Sequence, residues 1–290
     1  MDKLSKILLI PNTTKKISSE HILALADAVT GDGCELGILP EHKDVLSYLG
    51  DSAKALSDDT ELSEFGMAIV LGGDGSIIDA THRLLGYNIP IIGINFGHLG
   101  FMAELEIGEI EPISKLLAGD YYTDRRMMLD ATVCSESGEE NASFTVLNDL
   151  VFSNGPIPRL VKFDVICDGV KIESCRADGI IVATPTGSTA YSLSAGGPVL
   201  DPTLDCICIT PICPHSLDSR PIIVRGDSTV EILPRFNPDA SVYLSADGQK
   251  NIRILENDRV VIKRSTHTTE IVRMKDRAFI QVLRAKLADY

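Results

Sequence analysis

Residues 72 to 76 read Gly-Gly-Asp-Gly-Ser, directly behind the apolar run Met67-Ala68-Ile69-Val70-Leu71 and ahead of the helical pattern Ile77 to Leu85. A strand that ends in a glycine turn and passes into a helix makes an anion cradle. Glycine lets the backbone approach phosphate oxygens and adopt positive φ, and a helix N-terminus presents free N–H groups at the positive end of its dipole. Asp74 lies inside that cradle. A carboxylate beside phosphates is repelled unless it binds a metal or accepts a proton from an attacking hydroxyl, which leaves phosphoryl transfer with a metal-bound nucleotide open. The bland alternative is a Gly-Asp turn in which Asp74 caps the helix. The segment lacks the Gly-Lys-Ser/Thr ending of a Walker A loop, and Ile78 stands where the Rossmann fingerprint needs its third glycine.

A second candidate stretch runs from Thr184 to Gly197, where Gly, Ser, Thr and Pro crowd together with little apolar periodicity. It has the makings of a binding loop, and its serines and threonines have no Lys partner for nucleophilic catalysis. Tyr191 within it is either a ring face for a ligand or an ordinary core anchor. The seven cysteines, at 34, 134, 167, 175, 206, 208 and 213, form no CxxC pair, and reduced thiols are the default. Cys206 and Cys208 could be soft-metal ligands, but their alternation with Ile207 and Ile209 fits a packed strand.

The elements that position these residues divide the chain. Up to about residue 125, short β-prone runs alternate with amphipathic segments, the pattern of a Rossmann-like α/β domain with a parallel sheet. Lys6 to Ile10, Glu35 to Leu39, Met67 to Leu71 and Ile89 to Asn95 read as strands. Ser18 and Ser19 can cap a helix whose Ile22, Leu25, Ala26 and Val29 share one face, ended by Gly31 and Gly33. Parallel strands of this kind offer ligands their carboxyl ends. From 126 to 265 the period changes. Leu129 to Ser135, Ser143 to Phe152, Leu160 to Cys167, Ser228 to Leu233, Ser241 to Leu244 and Val260 to Lys263 are β-prone runs between Gly, Asn, Asp and Pro turns, which make a mainly β domain. Residues 266 to 290 form a tail.

The 290 residues carry 27 Lys and Arg against 41 Asp and Glu, a net −14 with no basic run, which argues against a nucleic-acid partner. An anionic ligand must be held locally. The opening run Ile7 to Ile10 is too short for a signal peptide, and no apolar run reaches the roughly 18 residues of a membrane span. The expectation is a cytoplasmic protein with no membrane partner.

The Gly72-Gly73-Asp74-Gly75-Ser76 motif resembles the one shared by NAD kinases, diacylglycerol and sphingosine kinases and 6-phosphofructokinases. Asn148-Asp149, Asp178-Gly179, Thr184 to Ser192, Ile209 to Leu217, Asn95 to Phe101 and Asp247-Gly248-Gln249 follow in the order of the NAD kinase pattern, so the match runs from about residue 66 to 250. The resemblance implies an NAD kinase/diacylglycerol kinase-like fold and transfer of the ATP γ-phosphoryl group to the adenosine 2′-hydroxyl of NAD. Asp74 would then be the proton acceptor, with Gly72, Gly73 and Gly75 at the phosphates. Asn148 and Asp149 would hold the sugar and base portions of the dinucleotide; the family usually has Glu at position 149, so Asp shortens the reach by one methylene. Thr189, Ala190, Tyr191, Ser192, Leu193 and Ser194, with Phe101 and Gln249, would line the nucleoside pocket. Arg176 and Asp178 would face substrate, while His82 and Arg159 match positions that are usually basic. The resemblance further implies a divalent cation, Mg²⁺, carried with ATP rather than by a dedicated set of metal ligands, a homodimer or homotetramer, and a tail that returns to the α/β domain. Two other readings stand beside it: a lipid or sugar kinase sharing the motif, and a non-catalytic nucleotide-binding regulator, which would have no need of Asp74.

Overall fold

The computed structural model describes residues 4–12, 19–96, 100–109, 112–155, 161–216, 218–236, 240–275 and 279–288. Contacts divide the chain into two units, Met1–Arg125 with Thr269–Tyr290, and Arg126–Thr268.

The first unit is built on parallel strands. Lys54–Ala55, Glu35–Ile38, Lys6–Pro11, Met67–Leu71 and Ile91–Asn95 lie side by side in that order, and Leu105–Glu106 pairs parallel to Ile91–Asn95. In chain order this is 3-2-1-4-5, the sequence of neighbours in a Rossmann sheet, and it reverses direction between Lys6–Pro11 and Met67–Leu71. Met67–Leu71 is buried at every residue, as a central parallel strand covered on both faces must be. The helix Ser19–Gly31 buries Ile22, Leu25, Ala26 and Val29, the face its spacing predicts. These side chains join Leu9, Ile69, Leu71, Ile92 and Ile94 in one core, to which Val272 also belongs. The tail enters this unit through Ile271, which pairs with Ile91, and the helix Phe279–Ala288 follows.

The structure corrects the reading of the glycine loop. The helix begins at Asp74, not Ile77, and its N-cap is Gly73, whose φ of −85° and ψ of −170° are extended. None of Gly72, Gly73 and Gly75 has positive φ. Only at Gly72 does close approach require glycine. A Cβ on Gly72 would sit 2.2 Å from the Ser76 hydroxyl oxygen, whereas Gly75 faces open space and Gly73 has only the Asn95 side-chain oxygen, at 3.9 Å.

The second unit is antiparallel. Ile222–Arg225, Cys206–Ile212, Gly179–Ala183, Asp149–Asn154, Val242–Ala246 and Lys250–Ile254 form a six-stranded sheet in that order. A further set of strands, Val170–Ala177, Val161–Cys167, Val230–Arg235 and Arg259–Arg273, pairs antiparallel. Phe152, Ile180, Val182 and Leu244 of the first set pack with Phe163, Val165, Ile232 and Ile262 of the second. Each fully buried side chain of this size contributes roughly 1.5 to 3 kcal/mol. The run Ser143 to Phe152 is two strands, Glu140–Val146 and Asp149–Asn154, because the chain bends at Leu147 and Asn148. Cys206 and Cys208 pack with Val151, Ile181, Ala183 and Leu200, and none of the seven cysteines is in a disulfide.

Candidate active site

The glycine loop stands where the strand order of the parallel sheet reverses, at the carboxyl ends of Lys6–Pro11 and Met67–Leu71, the place where open α/β sheets bind ligands. Asn12 and Gly72 tie the loop to the sheet. The Asn12 N–H donates to the Leu71 carbonyl at 2.9 Å, the Gly72 N–H to Ile94 at 2.9 Å, and the Asn12 side-chain amide to the Ser76 hydroxyl at 2.7 Å. In an α-helix the N–H groups of the first turn have no intrahelical partner, so those of Asp74 and Gly75 point from the loop as donors.

Asp74 is half-buried and does not cap its own helix. Its carboxylate oxygens accept the backbone N–H of Phe101, at 2.8 Å, and of Met102, at 3.1 Å. Gly100 is required beside it, since a Cβ there would stand 1.8 Å from Asp74 Oδ1. A carboxylate oriented by two amides and still reachable is suited to accept a proton at a fixed point.

Phe101 offers this site its amide. Its ring lies 6.4 Å from that of Phe279, tilted 45°, with the Lys286 ammonium 4.6 Å above its centroid. His82 occupies the last turn of the loop helix, eight residues and roughly 12 Å of rise beyond Asp74. The structure therefore does not bring it to the glycine loop. Arg159 lies outside the described residues.

In the second unit the organising residue is one that the sequence reading placed only within a motif. Asp247 sits at φ +48° in the turn between Val242–Ala246 and Lys250–Ile254. Its carboxylate accepts the backbone N–H groups of Leu147 at 2.8 Å, Asn148 at 2.8 Å and Asp149 at 3.0 Å, so it holds the bend that presents Asn148 and Asp149. The Asp-Gly pair at 247 and 248 is the sequence signal that could have marked it. Asp149 is 5% exposed, and burial, with the Asp247 charge as the lesser cause, pushes its carboxyl up to about 7. The Asn148 side-chain oxygen is buried without a partner among the described residues. Two polar groups held at this cost are candidates for ligand contact.

The segment from Thr184 to Leu200 covers the outer face of the six-stranded sheet, and most of its hydroxyls serve the segment itself. Thr184 Oγ1 donates to the Leu147 carbonyl at 2.6 Å and accepts from the Gly187 N–H at 3.1 Å. Ser188 Oγ donates to Pro185 at 2.7 Å and accepts the Leu200 N–H at 3.0 Å. Gly187 is needed because a Cβ would be 2.2 Å from the Asn148 carbonyl oxygen. Ser192 is fully buried and shares a hydrogen bond with Thr210 at 2.9 Å, which makes it a packing residue rather than a ligand contact. Tyr191 is 48% exposed, against the core-anchor alternative. Ser194 is exposed, and Thr189, Ala190 and Leu193 are half-buried. Arg176, Asp178 and Gln249 are also exposed. Asp178 Oδ1 is 3.4 Å from the Asn154 amide, and the Arg176 carbonyl accepts the His215 N–H at 2.8 Å.

Among the described residues no group of three or more His, Cys, Asp or Glu could hold a metal ion.

A Rossmann-ordered unit with a glycine loop and an oriented carboxylate, and a β unit that presents buried polar groups, define a phosphotransferase class. Comparison with known proteins narrows it. Residues 27–121 match the ATP-NAD kinase N-terminal domain and residues 147–274 the ATP-NAD kinase C-terminal domain. The NAD kinase of Symbiobacterium thermophilum is 44% identical over 248 residues, 85% of this chain and 87% of that protein. That of Geobacter sulfurreducens is 43% identical over 222 residues, 76% and 78% of the two chains. The fold is that of yeast NADH kinase solved with NADH (TM-score 0.87, 22% identity, 99% of this chain and 88% of that one). It is shared with an NAD kinase from Archaeoglobus fulgidus solved with ATP (TM-score 0.74, 23% identity, 98% and 99%). The chain belongs to the NAD kinase family, and it is an enzyme that phosphorylates NAD with ATP.

Proposed function

We propose that Asp74 is the proton acceptor of the reaction, taking the proton of the adenosine 2′-hydroxyl as it attacks the γ-phosphorus. The observation that carries this is the Asp74 carboxylate itself. It stands on the first residue of a helix behind a glycine turn, is aimed by the Phe101 and Met102 amides, and has no capping role to explain it. Phosphoryl transfer asks little of a protein beyond position and charge. The loop amides meet the phosphates, and the carboxylate keeps the hydroxyl in line and relieves it of its proton.

Asn148 and Asp149 bind the adenosine portion of NAD. The orphaned Asn148 oxygen and the raised Asp149 carboxyl support this, since a sugar hydroxyl or base amine would satisfy them. Tyr191, Thr189, Ala190, Leu193 and Ser194 complete the nucleoside surface, Tyr191 by its exposed ring. The family pattern supports a substrate-facing role for Gln249, Arg176 and Asp178. A divalent cation, Mg²⁺, would be carried by the nucleotide phosphates and would supply neutralisation of phosphate charge. The family resemblance supports a homodimer or homotetramer. The absence of any helix, among the described residues, long and apolar enough to cross a membrane is compatible with a cytoplasmic site of action.

The test is Asp74→Asn, which keeps shape and hydrogen bonding and removes the base. kcat should fall by roughly 10²- to 10⁴-fold with NAD affinity by calorimetry little altered. Near-normal turnover would leave the loop as a binding device only. NAD lacking its adenosine 2′-hydroxyl should bind nearly as well as NAD and give no product; consumption of that analogue would move the reaction to another hydroxyl.

A further inference from the structure

The peptide that joins Phe101 to Met102 is held at both ends. Its N–H, on Met102, donates to Asp74 Oδ1 at 3.1 Å. Its carbonyl, on Phe101, accepts from Arg273 Nη2 at 3.3 Å. The next carbonyl, on Met102, accepts from Arg273 Nη1 at 3.0 Å. One guanidinium therefore grips the backs of the two residues whose amides aim the carboxylate. It is itself held in place: its side chain is 14% exposed, and it pairs with Glu104 at 3.2 Å and Asp124 at 3.7 Å. Glu104 is in turn fastened, since its other oxygen accepts the N–H groups of Met274 at 3.0 Å and Lys275 at 2.8 Å. The strand that carries Arg273 thus closes a ring from Asp74 through residues 101 to 104 and back to 275.

We infer that Arg273 is a positioning residue for the reaction, acting on Asp74 through the Phe101–Met102 peptide. Two physical effects run along this path. A carbonyl that accepts from a cation polarises its own amide, so the Met102 N–H is a stronger donor to Asp74 than an isolated one. The planar fork also fixes two successive carbonyls at once, which holds the amides, and so the carboxylate, at one angle; Lys has the charge but not the fork. The surrounding charges do not by themselves explain the arrangement. Glu104 and Asp124 would be paired by any buried cation, whereas the carbonyl contacts need a guanidinium directed at the loop. The inference rests on Asp74 as proton acceptor.

The experiment measures kcat, KM for NAD and melting temperature of the full chain for Arg273→Gln, Arg273→Lys, Asp74→Asn and the double variant Asp74→Asn/Arg273→Gln. Arg273→Gln should lose roughly ten-fold in kcat per folded molecule with KM for NAD within about two-fold, and Arg273→Lys should recover part of the loss. In the Asp74→Asn background the same Gln substitution should cost less than about two-fold, because the group it acts through is gone. A lowered melting temperature with kcat per folded molecule unchanged would make Arg273 structural only and overturn the inference. So would a rise in KM alone, or a full ten-fold loss added to that of Asp74→Asn. Should Arg273→Gln fail to fold because Glu104 is left buried and unpaired, Arg273→Gln/Glu104→Gln removes both charges and replaces it in the cycle. Normal turnover in Asp74→Asn would instead remove the base itself, a failure that the single Asp74 variant shows without reference to Arg273.

Discussion

Replacing Asp149 by Asn should make the unliganded protein more stable at pH 8 than at pH 4 relative to the native chain. The Asp149 carboxyl moves from an ordinary 3.8 to about 7 because it is buried, and because Asp247 stands beside it. Between these values the folded chain keeps a proton that the unfolded chain has released. Stability from this group is therefore fully present below about pH 4 and is lost as pH rises toward 7. At about 1.4 kcal/mol per unit, a shift of roughly three units amounts to about 4 kcal/mol. Asn has the same shape and no proton to lose, so the variant escapes that loss. Below pH 4 the two proteins should differ little. The chain has no tryptophan, so urea denaturation is followed by far-ultraviolet circular dichroism at pH 4, 5, 6, 7 and 8 without NAD. The gap between variant and native protein should open across pH 4 to 7 and then stay level. Parallel curves at all pH values would show that Asp149 titrates normally, and the argument that it is a strained carboxyl waiting for a ligand would fall with them.

Gly100→Ala would push a methyl into the Asp74 carboxylate; a misplacement of about 1 Å at the reacting group costs roughly 10²-fold in kcat, with melting temperature little changed, and unchanged kcat would show the carboxylate tolerates another position. Tyr191→Ala, which removes an exposed ring, should weaken NAD binding by about 1 to 3 kcal/mol by calorimetry and leave the melting temperature alone, whereas a large loss of stability with unchanged NAD affinity would return the ring to a packing role. Deleting residues 279 to 290 removes the buried Leu283 and the Phe279 ring from Phe101. It should cost about 3 kcal/mol in urea denaturation, and an unchanged midpoint would show the helix to be merely appended.

Local pattern carried much of this protein in readable form. The strand, turn and helix around Asp74 could be read from five apolar residues and three glycines, because a strand period and a glycine turn are written over neighbouring positions. The buried face Ile22, Leu25, Ala26 and Val29 of the first helix was legible for the same reason. The Asn-Asp, Gly-Ser-Thr-Ala-Tyr and Asp-Gly-Gln segments were legible only as a pattern, without the contacts that give them meaning. What holds Asp74 lies 27 and 28 residues away at Phe101 and Met102. What bends Leu147 to Asp149 lies about a hundred residues away at Asp247, and Arg273 meets Glu104 across 169 positions. Nor could hydroxyl density distinguish Ser192, spent on Thr210 inside the fold, from Ser194 two residues on at the surface. Periodicity reports which face of an element avoids water. The partner of a polar group is decided only when distant segments are packed together, since each buried donor and acceptor must then be satisfied by whatever the fold brings within 3 Å.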